Sequence, residues 1–167
     1  MRKKKVPDKQ ISLANPDLAN MSDASLVRLR AKLEVEMRRR NLDFSIGAIG
    51  EALVIGHYTN TSGLPNLRPA QTGTKNVDAL SRDGERYSIK SIWNAKKTST
   101  IYPDPENRDK QLFEHIIIAV LNDDLILKAI YEFSWDEFTR TRSWDVRMSA
   151  WYIGCSNKTL QKARKIF

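Results

Sequence analysis

A chain of 167 residues, 41% hydrophobic and 29% charged, is long enough to bury a core and reads as a globular protein. Its 28 Lys and Arg against 20 Asp and Glu leave a net charge of +8 and a pI ≈ 9.7, favouring an anionic partner, nucleic acid before membrane. The single cysteine, Cys155, excludes an intramolecular disulfide and a cysteine-based zinc site, and no apolar run approaches the roughly 20 residues of a membrane-spanning helix.

Residues 1–20 read as a flexible basic arm, with Pro7 and Pro16 and several Asn and Asp; the remainder, 21–167, reads as a single domain. Arg2 to Lys5 are followed by Val6-Pro7-Asp8-Lys9-Gln10, which is no signal-peptide core, so a cytoplasmic location is expected. Ser22 is placed to cap a helix over residues 23–41. Leu26, Leu29, Leu33 and Met37 form its apolar stripe, and Glu34/Arg38 and Glu36/Arg40 are i,i+4 pairs. Such a stripe either packs on the domain or joins two copies in a homodimer.

A second helix starts near Asp43 or Ser45 and runs to about Tyr58. Its three glycines each cost an isolated helix about 1 kcal/mol, which points to close packing against a sheet. Glu51, the only acid in this run, is either solvated at the helix edge or bound to something positive. Residues 59–71 read as a loop or short strand. Lys75 to Ser81 and Glu85 to Trp93 then alternate in polarity around the turn Arg82-Asp83-Gly84, the pattern of a β-hairpin. Arg86, Ser88 and Lys90 share one face of the second arm; Tyr87 and Ile89 share the other.

Prolines 103 and 105 make residues 94–107 a loop, and His115 to Leu121 is a near-continuous apolar run expected to be a buried strand. Leu125 to Phe133 follows as another strand, and Ser134 with Glu137 forms a capping box for a short helix, Trp135 to Thr139. Residues 147–153 read as a last strand. Ser156 or Asn157 opens a terminal basic helix with Lys158, Lys162, Arg164 and Lys165. Strands with helices on their sides make the fold α/β, with a mixed central sheet.

Three stretches together, Ile46-Gly47-Ala48-Ile49-Gly50-Glu51-Ala52-Leu53-Val54, Asn76-Val77-Asp78 and Ser88-Ile89-Lys90, resemble the PD-(D/E)xK nuclease superfamily of restriction endonucleases and Holliday-junction resolvases. The match covers Ile46 to about Val120. The resemblance implies a restriction-endonuclease-like αβββαβ core, here with an additional N-terminal helix. It also implies a metal-dependent DNA endonuclease, acting in restriction, phage defence or recombination, with Mg²⁺ as cofactor and Mn²⁺ as a substitute. Glu51 takes the place of the helix glutamate, Asp78 of the motif aspartate and Lys90 of the motif lysine. Asp78, Glu51 and the Ile89 carbonyl are the implied metal ligands.

The pattern departs at Ser88, where the superfamily usually has Asp or Glu. A serine is a poor direct ligand for Mg²⁺, though its hydroxyl suits one of the ion's waters. Three accounts of the missing acid stay open. Glu51 supplies it; Asp83 or Glu85 reaches in from the turn, although parity turns Glu85 away from Lys90; or the chain binds DNA without cutting it. For nucleic-acid contact the expectations are Lys75, Trp93, Lys96, Lys97 and, at the start of the terminal helix, Lys158. The partner is duplex or branched DNA, and a homodimer fits the cutting of both strands. His57 and His115 read as structural, and Cys155 as a small core residue.

Overall fold

The computed structural model describes residues 18–40, 42–43 and 45–167. Apart from Leu18–Asn20, a single 3-10 turn, the basic arm expected over residues 1–20 lies outside the described residues. The chain divides into two compact units, one ending at Leu42 and one running from Asp43 to Phe167.

In the first unit, helix α1 (Asp23–Arg39) begins where its cap predicts, with Ser22 Oγ accepting the Ser25 amide at 3.3 Å. The Glu36–Arg40 pair forms at 2.7 Å, and Arg39 joins it at 2.6 Å; the two guanidiniums hold the Glu36 carboxyl down at about 2. The expected Glu34–Arg38 pair does not form. Helical side chains lean toward the N-terminus, so Glu34 meets Arg30 at 2.9 Å, and Arg38 Nε reaches the Glu34 backbone carbonyl. No residue of α1 is buried, and Leu26, Leu29 and Leu33 are exposed.

The second unit opens with α2 (Ile46–Asn60), capped by Ser45 through the Ala48 amide at 3.1 Å. A six-stranded mixed sheet follows, built from β1 (Leu67–Pro69), β2 (Ala79–Ser81), β3 (Arg86–Ile92), β4 (His115–Leu121), β5 (Leu127–Ser134) and β8 (Arg164–Lys165) in the spatial order β1-β2-β3-β4-β5-β8. Only β3 and β4 run parallel, Tyr87 beside His115 through Ile92 beside Val120; the other neighbours are antiparallel. Gly84 (φ 87°) supplies the left-handed residue of the β2–β3 turn, as the Asp-Gly signal requires.

Alternation along the strands separates two cores. Toward α2 lie Val54, Tyr58, Ala79, Tyr87, Ile89, Ile117, Ala119 and Ile130. On the opposite face Ile92, Phe113, Ile116, Ile118 and Phe133 pack with Phe138 of α3 (Trp135–Thr141), Ile153, and Leu160 of α4 (Asn157–Leu160). Each fully buried Val, Ile or Phe among them contributes about 1.5–3 kcal/mol of transfer free energy.

α2 reaches the sheet through Gly50. A Cβ there would lie 1.9 Å from Ser91 Oγ, 2.7 Å from Ser91 Cβ and 3.5 Å from Ala119 Cβ. Small residues on both elements allow that approach, which compensates the helix-weakening glycine.

Three expectations need correction. The αβββαβ core calls for a helix between its third and fourth strands, but residues 93–114 contain none. Pro103 and Pro105 interrupt that crossover, and its 97–101 stretch runs instead beside Gly154 and Trp151 as isolated bridges. α3 and α4 cover that face of the sheet. In place of the strand expected over residues 147–153 there is a two-stranded ribbon, β6 (Ser143–Asp145) with β7 (Ala150–Tyr152). The terminal basic helix is only the four residues of α4; Arg164 and Lys165 pair with β5, because Glu132 offers Arg164 a carboxylate at 2.8 Å.

Candidate active site

The β2–β3 hairpin parts company with regular pairing at Asp78. Its last register pair on this side is Ala79 with Tyr87, and the Asp78 amide donates to the Tyr87 carbonyl at 2.8 Å. Beyond that rung the Asp78 carboxylate takes the position of backbone. Its Oδ2 accepts the Ile89 amide at 2.6 Å, the Ser88 hydroxyl at 3.2 Å and the Lys90 ammonium at 3.3 Å. All three donors converge on Oδ2, and Oδ1 accepts none among the described residues.

The preceding loop fixes where Asp78 points. Asn76 adopts a left-handed conformation (φ 60°) and its side-chain Nδ2 donates to the Tyr102 carbonyl at 3.1 Å, while Val77 is buried. Asn tolerates that conformation better than most residues. Lys90 is 14% exposed and Asp78 28%, so their attraction is screened less than that of a surface pair.

Glu51 follows Gly50, and the close approach of α2 to Ser91 brings it to the Asp78–Lys90 pair. Burial pushes its carboxyl above the usual range and the Asp78 charge pushes it further, with Lys90 opposing. It makes no hydrogen bond or ion pair among the described residues. Asp78, Ser88, Ile89 and Lys90 are therefore in direct contact, with Glu51 close enough to feel the charges of Asp78 and Lys90.

Comparison with known protein families finds no family model that matches this chain, and no curated protein matches it.

The donor set fits a hard divalent cation. Mg²⁺ takes oxygen ligands, keeps several waters, and needs one or two carboxylates. Asp78 offers an open oxygen, Glu51 an unpaired carboxylate that a nearby positive charge would favour, and Lys90 fixes the other Asp78 oxygen. No group of three or more His, Cys, Asp and Glu gathers at metal-binding distance among the described residues. Asp83 and Glu85 add no third acid. Asp83 is exposed in the turn, and Glu85 meets His115 Nε2 at 3.8 Å and the Tyr87 hydroxyl at 3.3 Å, on the α2 side of the strand. Ser88 is fully buried and bonds Asp78, so it orients the carboxylate and offers little to a ligand in solvent.

The residues expected to meet nucleic acid are spread more widely. Lys75 lines a recess of about 260 Å³ with Asn76, Arg86 and Lys110, next to Asp78 in sequence. Within it Arg86 is held by Glu114 through two contacts, at 2.7 and 3.1 Å, and Lys110 by Asp104 at 2.8 Å. Lys96 lines a cleft of about 370 Å³ at the ends of β3 and β4, with Asn94, Asn122 and Lys128. Trp93 is 42% exposed. Lys97 is paired with Asp145 at 2.9 Å and lies over the Tyr152 ring, so part of its charge is already committed. Lys158 is exposed, but a four-residue helix gathers too small a dipole to make its end an anion site.

Parity alone puts Arg86 on the Lys90 face; its bond to Glu114, 28 residues on, carries no local signal. Neither did the β6–β7 ribbon, whose arms are three residues each.

Proposed function

We propose that the chain is a metal-dependent DNA endonuclease with a restriction-endonuclease-like fold, hydrolysing phosphodiester bonds in restriction, phage defence or recombination. The observation that carries this reading is the Asp78–Lys90 pair at the point where β2 and β3 diverge, with Glu51 beside it and one Asp78 oxygen open. Asp78 and Glu51 would hold Mg²⁺ or Mn²⁺, and extended geometry turns the Ile89 carbonyl to the same strand edge as its amide. The cation would polarise the phosphoryl group and lower the pKa of an attacking water. Lys90 orients that water and offsets the charge that develops on the phosphate. Ser88 and the Ile89 amide keep Asp78 in one orientation, so the site needs little reorganisation when substrate arrives.

Ser88 favours a second reading, a nuclease-fold module that binds DNA without cutting it, because the position usually holding an acid is here a buried hydroxyl. Incubating supercoiled plasmid and a branched oligonucleotide duplex with Mg²⁺, Mn²⁺ or EDTA separates the two. The endonuclease reading expects nicked or linear product with either metal and none with EDTA. Tight binding with no cleavage under any metal would replace it with the binding module.

A further inference from the structure

Residues 139–162 carry five Lys and Arg against one acid, Asp145, and that acid is taken up by Lys97 at 2.9 Å. These residues build one layer on one face of the sheet. Ile92 shares that face with Ser88 and Lys90 by alternation, and it packs in the same core as Phe138, Ile153 and Leu160. The layer and the Lys90 side chain therefore belong to the same side of the sheet.

The β6–β7 ribbon in this layer is held rigidly at its base. Trp144 and Trp151 meet edge to face at 4.5 Å, Arg142 lies 3.9 Å above the Trp151 ring, and Arg108 lies 4.7 Å above Trp144. A bridge between Ile101 and Trp151 ties the ribbon to the segment that leaves β3. Its turn, by contrast, is turned out to solvent: Val146 is 81% exposed, and Arg147 and Met148 are exposed beside it. Arg147, and also Arg140, Lys158 and Lys162 nearby in the chain, are exposed and make no ion pair among the described residues.

We infer that this layer is a docking surface for double-stranded DNA, with the Val146-Arg147-Met148 turn entering a groove and Arg140, Lys158 and Lys162 taking backbone phosphates. A two-stranded ribbon fits the major groove of B-DNA, and an apolar residue with a cation at its tip suits a base edge and the groove wall. Single-stranded binding uses open aromatic platforms. The ribbon's tryptophans face each other and carry guanidiniums, so they are not free to stack on bases. The choice of DNA as partner rests on the endonuclease reading above; the surface itself rests on charge and exposure.

The test is fluorescence anisotropy of a labelled duplex of roughly 20 base pairs, titrated with the full chain between about 50 and 200 mM salt. Wild type is compared with Arg140→Ala/Lys158→Ala/Lys162→Ala and with a charge-matched control, Arg28→Ala/Arg68→Ala/Arg82→Ala, each confirmed folded by thermal unfolding. Loss of three phosphate contacts predicts binding at least about tenfold weaker and a log–log salt slope shallower by about 3, with the control within about twofold of wild type. Wild-type affinity and slope in the first variant, an equal loss in the control, or equal affinity of the wild type for a single strand would overturn the inference. If wild type cuts no DNA while the first variant still binds weakly, the cleavage reading fails and the docking surface stands. If wild type cuts and the first variant binds unchanged, the docking surface alone fails.

Discussion

The amide of Ile89 donates to Asp78 Oδ2 at 2.6 Å, just beyond the last regular pair of the β2–β3 hairpin. A side chain thus replaces a strand, and the same carboxylate that closes the hairpin presents its second oxygen to the site. Structure and chemistry share one residue.

Asp78→Ala therefore leaves the Ile89 amide and the largely buried Lys90 ammonium without their acceptor. The expected loss is about 1–3 kcal/mol in urea denaturation. Asp78→Asn keeps a carbonyl oxygen for the amide and should lose less stability, yet it should still lose metal-dependent cleavage. Equal stability of wild type and Asp78→Ala would show that the convergence on Oδ2 contributes nothing to folding.

Gly50→Ala places a methyl 1.9 Å from Ser91 Oγ and 2.7 Å from Ser91 Cβ, so α2 must lift from β3. Overpacking of this kind costs about 1–3 kcal/mol, and it moves the neighbouring Glu51 away from Asp78. Adding Ser91→Gly removes both clashing atoms. A double-mutant cycle should show Gly50→Ala to be nearly neutral in the Ser91→Gly background. Equal destabilisation in both backgrounds would contradict the contact.

A second group of ionisable residues lies on the α2 side of the sheet. Glu132, 5% exposed, accepts from the Tyr58 hydroxyl, is bonded by Arg164 at 2.8 Å, and meets His115 Nδ1 at 3.3 Å; His115 stacks on Tyr87, and Glu85 is 3.8 Å away. The Nδ1 contact lacks the alignment of a hydrogen bond and is an ion pair while His115 is protonated. Contact with Glu132 raises His115 above 6.5 against the opposing effect of burial. Burial raises Glu132, but His115, Tyr58 and Arg164 outweigh it and hold the carboxyl below 4.5. The histidine's contribution to stability is full below 6.5 and lost as pH rises through its folded value. The glutamate's is full above 4.5 and lost as pH falls through its folded value. The network should therefore stabilise most between 4.5 and 6.5. The difference in denaturation free energy between wild type and Glu132→Gln should be largest in that window; a difference independent of pH from 3 to 9 would contradict it (roughly the span that carboxylate and imidazole titrations cover).

Cys155 is a packing residue. Burial pushes its thiol up to about 11, and its sulfur donates to the Ile153 carbonyl at 3.4 Å. Alkylation by iodoacetamide near neutral pH should be at least about tenfold slower than for an unperturbed thiol, and denaturant should abolish the protection. Modification of the folded protein at the rate of a free thiol would contradict this.

What was legible in the sequence was what local pattern encodes. Asp83-Gly84 marks the hairpin turn, Ser22, Ser45 and Ser134 mark helix starts, and the parity of Arg86, Ser88 and Lys90 places them on one face. The partners of those residues were not legible, because they come from distant segments. Arg164 and Lys165 read as helix beside Lys158 and Lys162 until β5 offers them an edge and Glu132 a carboxylate. The ribbon's arms are too short for alternation to show, and its turn lacks glycine or proline, using Ser149 at φ 49° instead. At the site, the nuclease resemblance implied Asp78, Lys90 and Glu51; the convergence of three donors on one Asp78 oxygen depends on where the strands part.

The most direct measurement is the single-turnover cleavage rate of a labelled DNA duplex at saturating protein, with Mg²⁺ or Mn²⁺, for wild type and Lys90→Ala. Saturation removes binding from the comparison and leaves the chemical step. Metal-dependent cleavage that falls by about 10²–10³-fold in Lys90→Ala is the predicted result, the size expected when one preorganised electrostatic group is lost. No metal-dependent cleavage by saturating wild type, or the same rate from both proteins, would contradict the account.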